Sequence, residues 1–141
     1  TMPTEIGRLS NLMYMYLYRN SLTGTIPTEI GFLSSLSDMS LYRNNLTGTM
    51  PTEIGRLSNL MYMYLYRNSL TGTIPTEIGR LSSLWRMDLY LTNLTGTMPS
   101  EVCSLLTTND GALSYLYADC GEVTCSCCTH CCVDGGSCSP A

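Results

Sequence analysis

The residues best suited to metal binding or covalent chemistry are gathered near the C-terminal end of the chain. Zinc binding is one reading, but structural zinc sites usually separate their ligand pairs by a loop of about a dozen residues, which this tail lacks. A dense, even set of cysteines instead favours disulfides formed in an oxidising compartment, although eight cysteines allow about a hundred pairings. The set comprises Cys103, Cys120, Cys125, Cys127, Cys128, Cys131, Cys132 and Cys138, with His130 among them as the only histidine.

A second set of candidate groups is an evenly spaced column of glutamates, Glu5, Glu29, Glu53 and Glu77. Paired carboxylates can act as general acid and base. An arginine follows three of them, always at the same short distance, so a solvated, charge-balanced edge explains the column better. The sequence contains no nucleophile–base–acid set, phosphate loop or metalloprotease motif. We therefore predict a non-enzymatic protein with no catalytic residue, metal or cofactor.

The overall composition and charge of the chain argue against nucleic acid and membranes as its partners. The chain has 141 residues, of which 44% are apolar, and a formal net charge of −4. An acidic chain is poorly suited to nucleic acid or to an anionic membrane surface. No apolar run of about 18 residues occurs, so we predict no membrane insertion, and we expect no signal peptide at the start of the chain. Because Thr1 already lies inside a repeat, we expect a mature product or a fragment of a longer one.

The elements that position these residues follow a fixed period, visible in prolines at positions 3, 27, 51, 75 and 99. Leucine and methionine keep the same phase, as at Leu12, Met15, Leu17 and Leu22. A fixed period with apolar residues in phase indicates a solenoid whose coils share one core. A period of twice that length is superimposed, since residues 1–24 and 49–72 are identical and residues 25–48 and 73–96 agree at 18 of 24 positions.

The repeat reads LxxLxMxLxxNxLTGxIPxEIGxL, which resembles the plant-type leucine-rich repeat marked by LTGxIP after the asparagine. The resemblance implies an α/β-type solenoid, a leucine-rich-repeat horseshoe with short parallel strands on its concave face. It also implies that Asn20, Asn44 and Asn68 form a buried ladder that bonds backbone groups of adjacent coils. Thr92 stands in the fourth position of this ladder and is expected to weaken it.

We expect two regions along the chain. Residues 1–102 contain four 24-residue repeats, and residues 103–141 contain an imperfect fifth repeat followed by a disulfide-rich C-terminal cap. In the fifth repeat Leu113, Leu116 and Ala118 take the places of the apolar strand residues. A cross-linked cap would seal the apolar end of the last coil. The CxCCTxCC form of this tail resembles the tails of secreted algal members of the family.

Tyrosines occupy alternate positions of the predicted strands, and MYMYLYRN occurs at residues 13–20 and again at residues 61–68. Side chains alternate between the two faces of a strand, so these tyrosines project from the concave face. At a strand spacing of about 4.8 Å, every coil contributes one ring to a continuous column of Tyr18, Tyr42, Tyr66 and Tyr90. The predicted interaction surface comprises Tyr14, Tyr16, Tyr18, Arg19, Tyr42, Arg43, Tyr62, Tyr64, Tyr66, Arg67, Trp85 and Tyr90.

Tyrosine and arginine together indicate a contact surface, because they offer rigid aromatic area, hydroxyl groups and cation–π partners. The alternative is that the tyrosines serve only as good strand formers that stack for stability.

Two N-glycosylation sequons add to the surface chemistry, at Asn45 and Asn93. By strand spacing they would lie on one face, roughly 10 Å apart. We therefore expect N-linked glycans and an extracellular location.

Two functions remain open. The first is a secreted structural or adhesive protein that associates with other copies of itself, through open solenoid ends and the aromatic concave face, into a filament or matrix. The second is a recognition module, a receptor-like or inhibitor-like ectodomain fragment that binds a protein, peptide or glycan. The first is our prediction, because duplicated coils offer little diversity for selective recognition.

Overall fold

The computed structural model describes residues 1–133 and 135–141, and each 24-residue unit forms one coil of a solenoid. A coil consists of a concave strand, a second short strand and a five-residue 3-10 helix. The strands in chain order are β1 (Tyr14–Tyr16), β2 (Thr23–Gly24), β3 (Asp38–Ser40), β4 (Asn45–Gly48), β5 (Tyr62–Tyr64), β6 (Ser69–Gly72), β7 (Arg86–Asp88), β8 (Asn93–Leu94), β9 (Gly96–Thr97), β10 (Tyr115–Asp119), β11 (Val123–Thr124), β12 (His130–Val133) and β13 (Ser137–Pro140). The 3-10 helices are Thr4–Arg8, Thr28–Phe32, Thr52–Arg56, Thr76–Arg80 and Thr107–Asn109, and one α-helix, α1, spans Ser100–Cys103.

The concave face is a seven-stranded sheet in the order β1-β3-β5-β7-β10-β12-β13. Successive strands from β1 to β12 are parallel, and β13 runs antiparallel to β12. Met15 pairs with Met39, Met39 with Met63, and Met63 with Met87. Because paired positions in the four full coils are separated by one whole repeat, equivalent side chains of successive coils lie side by side.

The core runs along the solenoid behind this sheet. In the second and third coils Met39, Leu41, Met63 and Leu65 are fully buried, as the alternation predicted. Tight packing between coils also explains the periodic glycines: a Cβ on Gly31 would lie 2.7 Å from the carbonyl oxygen of residue 53 in the next coil. No side chain fits at that separation, so the period of glycine follows from coil stacking.

The asparagine ladder forms at two of its three predicted rungs. Asn68 donates to the carbonyls of Leu41 and Leu65, both at 3.0 Å, and its Oδ1 accepts from the Leu46 amide at 3.1 Å. Asn44 makes the equivalent bonds one coil earlier. The ladder stops after Asn68, because the Thr92 hydroxyl has a single hydrogen, which it donates to the Leu89 carbonyl of its own coil at 2.7 Å.

The ladder prediction is wrong for Asn20. This side chain is exposed and donates to the carbonyls of Leu17 and Tyr18, at 3.1 and 3.2 Å, both in its own coil. The bonds of Asn44 and Asn68 reach the coil that precedes them in the chain, whereas Asn20 belongs to the first coil of this chain. An identical residue in an identical repeat therefore makes different bonds.

The second sheet has a different register, with strands in the order β2-β4-β6-β8. Thr47 pairs with Ser69 and Thr71 pairs with Asn93, so paired positions fall two residues short of a whole repeat and equivalent residues shift by two positions at each coil. Asn45 and Asn93 are both exposed on this sheet. Asn93 lies two strands across the sheet from Asn45 and four residues further along the strand direction, which places the two residues roughly 16 Å apart. The shorter separation expected from the sequence is wrong, because it assumed the register of the concave sheet.

All eight cysteines are paired, which confirms the disulfide prediction and supplies the connectivity that the sequence left open. The pairs are Cys103–Cys127, Cys120–Cys131, Cys125–Cys128 and Cys132–Cys138. Residues 1–133 and 135–141 contain no cluster of histidine, cysteine, aspartate and glutamate arranged to hold a metal ion. Over the same residues, no helix has the length and apolar character needed to cross a membrane.

The cap does more than cover the last coil. Its strands β12 and β13 extend the concave sheet, and β11 pairs with β9 on the other side of the coil. Leu113, Leu116 and Ala118 are fully buried and continue the core into the fifth coil. The boundary between residues 1–102 and 103–141 stays a prediction, since the sheet and the core both run across it.

Candidate functional site

The concave sheet presents three rows of outward side chains, set by its register. The first row is Tyr14, Asp38, Tyr62, Arg86 and Tyr115, and the second row is Tyr16, Ser40, Tyr64, Asp88, Tyr117 and His130. The third row is Tyr18, Tyr42, Tyr66 and Tyr90. All eight tyrosines of the predicted surface therefore lie on one face, where Tyr115 and Tyr117 join them.

The third row is the ring column that the spacing predicted. Ring centroids are 4.7 Å apart from Tyr18 to Tyr42, 4.5 Å from Tyr42 to Tyr66 and 4.7 Å from Tyr66 to Tyr90, with interplanar angles of 3°, 7° and 10°. Burial within the column raises the pKa of Tyr66 to about 12. At neutral pH the Tyr66 phenol is therefore protonated, and its hydroxyl can donate a hydrogen bond to a ligand.

Arg86 lies across the second row instead of projecting away from the sheet. Its guanidinium carbon is 5.6 Å from the centroid of the Tyr64 ring and 4.8 Å from that of Tyr117. Two of its nitrogens donate to the carboxylate oxygens of Asp88, each at 3.0 Å. Asp88 is only 1% exposed, and burial raises its pKa even though the guanidinium opposes that shift. The fourth coil therefore carries an ion pair flanked by aromatic rings, with Asp88 buried and Arg86 partly exposed.

The second coil has the opposite arrangement. Among the residues that the structure describes, no basic side chain lies within ion-pair distance of Asp38. Its carboxylate accepts hydrogen bonds from the hydroxyls of Ser40, at 2.9 Å, and Tyr16, at 3.4 Å, and burial raises its pKa. A cavity of about 350 Å³ opens on this face beside Ser40; its walls include Tyr16 and Tyr64, and it extends to Arg86 and Asp88 of the fourth coil.

The remaining predicted residues lie at the margins of this face. Trp85 packs edge-on against Tyr62 and Tyr115, with centroid distances of 5.6 and 4.8 Å. The arginines that follow the third row have left-handed backbones, with φ of 54°, 56° and 57° at Arg19, Arg43 and Arg67. Their amides donate to carbonyls of the next coil at 3.0 to 3.1 Å. Whether these residues contact a partner stays a prediction.

The cap contributes three residues to this face that the sequence did not place there. Tyr115 and Tyr117 alternate with the buried Leu116 and Ala118, so the alternation rule that found the other tyrosines would have found these two. His130 stacks on Tyr117 at 4.2 Å with an interplanar angle of 10°. The sequence singled out His130 only as a possible zinc ligand and not as a residue of this face, because its strand position depends on the fold of the cysteine-rich segment.

The duplicated coils differ mainly on and beside this face. Residues 25–48 and 73–96 differ at six positions: Phe32/Arg80, Ser37/Trp85, Asp38/Arg86, Ser40/Asp88, Arg43/Leu91 and Asn44/Thr92. The outward strand positions account for two of these pairs, Asp38/Arg86 and Ser40/Asp88, and two more flank the same rows of side chains. The tyrosines of the third row are unchanged. The concave face therefore has more chemical variety than the rest of the coil.

Comparison with known proteins agrees with the repeat and the fold. The family model described as Leucine Rich Repeat matches residues 11–33, 35–57 and 59–81. The chain is a leucine-rich-repeat protein. Comparison with curated proteins gives no match.

Solved structures with the same repeat architecture include plant receptor ectodomains. A plant peptide hormone receptor, RGFR1 in complex with RGF2, is 40% identical over 82% of this leucine-rich-repeat chain and 18% of its own, with a TM-score of 0.77. The ectodomain of the receptor kinase GASSHO1/SCHENGEN3 from Arabidopsis thaliana, in complex with CASPARIAN STRIP INTEGRITY FACTOR 2, is 36% identical over 73% and 12%, with a TM-score of 0.72. A plant ice-binding protein is 25% identical over 87% and 38%, with a TM-score of 0.72. This chain thus spans less than a fifth of either receptor.

Proposed function

We propose that this leucine-rich-repeat protein is an extracellular recognition module that binds a peptide, or an extended segment of a protein, along its concave face. One observation carries the proposal: between constant rows of tyrosine, the duplicated coils place a carboxylate bonded to hydroxyls in the second coil and an ion pair in the fourth. A ligand that crosses the strands would meet a different group at each coil. A surface whose polar groups differ from coil to coil can define the register and direction of a bound chain.

The ring column supplies the part of the surface that is common to all coils. Its rings are packed against one another, so little side-chain freedom remains to be lost when a ligand binds. Aromatic side chains in such positions are frequent energetic hot spots, worth about 2 kcal/mol or more when they are buried at the centre of an interface. We infer that the column provides affinity and the second row provides selectivity.

An extracellular location is supported by the four disulfides and by the similarity to ectodomains. The proposed glycan sites, Asn45 and Asn93, belong to the second sheet, in strands β4 and β8. Glycans at these positions would leave the concave sheet free for a partner. The similarity to receptors bound to peptide hormones supports a peptide as the first partner to test.

Self-association through the same face is the second candidate. Tyr14 and Tyr16 are 55% and 58% exposed, which is a large aromatic area for the first coil to leave in water. The complexes among the similar structures favour recognition over assembly, since one receptor is bound to RGF2 and the other to CASPARIAN STRIP INTEGRITY FACTOR 2. Sedimentation velocity over a wide range of protein concentration tests this candidate, because a chain that self-associates through the concave face sediments faster as its concentration rises, and loses that dependence in Tyr16→Ser/Tyr64→Ser.

Selection of a random peptide library on the immobilised chain tests the proposal. Selected peptides should lose binding to the double variant Tyr16→Ser/Tyr64→Ser, which removes two rings of the second row. The matched control is Thr23→Ala/Thr71→Ala, which changes exposed residues in the same two coils but outside the concave sheet. Peptides that bind the tyrosine variant as well as the wild type would contradict a concave binding face.

A further inference from the structure

The second row contains two slots of the same kind, one filled and one open. Tyr64 and Tyr117 flank Asp88, while Tyr16 and Tyr64 flank Ser40, because these residues lie on successive strands. Rings two strands apart are separated by roughly 10 Å. That separation accommodates one planar group midway, at about the spacing of the third row, where neighbouring centroids are 4.5 to 4.7 Å apart.

The chain itself fills the slot in the fourth coil. The Arg86 guanidinium lies between Tyr64 and Tyr117, and the Asp88 carboxylate below it receives two hydrogen bonds of 3.0 Å. This arrangement combines cation–π contacts with a two-point, fork-like ion pair, which is the geometry that guanidinium groups favour. It shows what fits between two tyrosines of this row.

The slot in the second coil has the same kind of walls but, among the described residues, no side chain that fills it. Asp38 takes the position of Arg86 in the duplicated unit, and Ser40 takes that of Asp88, so a carboxylate and a small hydroxyl replace the ion pair. The cavity of about 350 Å³ is lined by Tyr16, Ser40 and Tyr64 of this slot, and it extends along the sheet to Arg86 and Asp88 of the filled one. Asp38 is half-buried and reaches the slot through Ser40 and Tyr16, whose hydroxyls donate to its carboxylate, and it pairs with no cation within the described residues.

We propose that this open slot binds the guanidinium of an arginine side chain from a separate peptide, stacked between Tyr16 and Tyr64 and paired with Asp38. The inference rests on the proposed function and names one feature of its ligand. A neutral aromatic ring would also stack, but it would bury the carboxylate further without a partner. A lysine ammonium is not planar and offers no fork of donors, so arginine is preferred over lysine.

The first test compares four peptides that differ at one position. The host is acetyl-Gly-Gly-X-Gly-Gly-amide, in which X is arginine, lysine, alanine or citrulline, the neutral isostere of arginine. Binding is followed by NMR titration of the tyrosine ring signals. We expect the arginine peptide to bind at least about tenfold more tightly than the citrulline peptide, since only arginine gains the charge-assisted bonds. Equal binding of these two peptides would overturn the inference.

Variants then locate the site. Asp38→Asn should reduce arginine binding to the citrulline level, whereas Glu5→Gln, which removes the same charge from an exposed position outside the sheet, should leave it unchanged. Asp38→Arg/Ser40→Asp rebuilds the pair of the fourth coil and should abolish binding by filling the slot. The reverse exchange, Arg86→Asp/Asp88→Ser, should open a second slot and give two bound peptides per chain. An undiminished affinity in Asp38→Asn would contradict the site even if neither exchange variant folds.

The outcomes also separate this inference from the proposed function. If library peptides require the concave tyrosines but show no preference for arginine and bind Asp38→Asn normally, recognition stands and the arginine slot is wrong. If the arginine host peptide binds but no library peptide depends on the concave face, the slot stands and the proposed function fails. If Asp38→Asn changes the sedimentation of the chain alone, the arginine comes from a second copy, and a separate peptide ligand is wrong.

Discussion

Truncation of Asn68 and of Asn20 to alanine compares two residues whose repeats are identical at all 24 positions. Asn68 is 7% exposed and bonds three backbone groups, two of them in the preceding coil. Asn20 is exposed, and its bonds go to carbonyls of its own coil. Any difference between the two variants therefore arises from neighbouring coils and not from local sequence.

The expected magnitudes follow from the bonds that each change removes. In Asn68→Ala the Leu46 amide and the Leu65 carbonyl lose this partner, while the Leu41 carbonyl keeps a bond from Asn44 at 2.9 Å. An unsatisfied buried polar group costs about 1 to 3 kcal/mol, so we expect the free energy of unfolding to fall by about 3 kcal/mol. Asn20→Ala should cost about 0.5 kcal/mol or less, as exposed substitutions do.

Urea unfolding followed by far-UV circular dichroism measures both values on the oxidised chain. For a protein of this size, roughly 3 °C of melting temperature corresponds to 1 kcal/mol, so thermal melts should separate the two variants by about 8 °C. Equal losses of stability in Asn20→Ala and Asn68→Ala would refute the assignment of the ladder to contacts between coils. Equal losses would also remove the physical basis for treating the first coil as different from the third.

Arg86→Ala leaves the buried Asp88 carboxylate unpaired and should cost about 3 kcal/mol, whereas Arg86→Ala/Asp88→Ser should recover most of that loss in the same urea assay. Similar losses in the single and the double variant would contradict a buried charge as the cause. Asp38→Asn should leave the melting temperature unchanged or raise it at neutral pH, because burial raises the pKa of Asp38 above its unfolded value. A raised folded pKa favours the wild type below about pH 4 and costs it stability as the pH rises through that pKa, so any advantage of the variant in thermal melts should disappear in acid. In material from a eukaryotic source Asn45 and Asn93 should both carry glycans, and a glycopeptide map with both residues bare would contradict this.

The sequence alone determined the solenoid, its 24-residue coil and the face on which the tyrosines lie. These features depend on alternation within a strand and on repetition between coils, and both can be read locally. Met15, Met39 and Met63 had to share one core because no coil buries its own apolar edge. The ring column followed from the same register, since identical offsets repeated at a uniform strand spacing leave little freedom for the rings.

Only the tertiary structure decided which contacts each copy of a repeated residue makes. Asn20 and Asn68 are equivalent in sequence, but a ladder bond requires a preceding coil against which the side chain can pack. The second sheet shifts by two residues at each coil while the concave sheet shifts by none, and this difference separates Asn45 from Asn93. The cap adds strands β12 and β13 to the concave sheet. Their positions could not be read from the sequence, because the cap is cross-linked by four disulfides whose pairing the sequence left open. Arg86 and Asp38 occupy equivalent positions, yet Arg86 reaches between two tyrosine rings whereas Asp38 reaches only the hydroxyls of Ser40 and Tyr16. The reason is length, because a guanidinium on its long stem extends further from the strand than a carboxylate on one methylene.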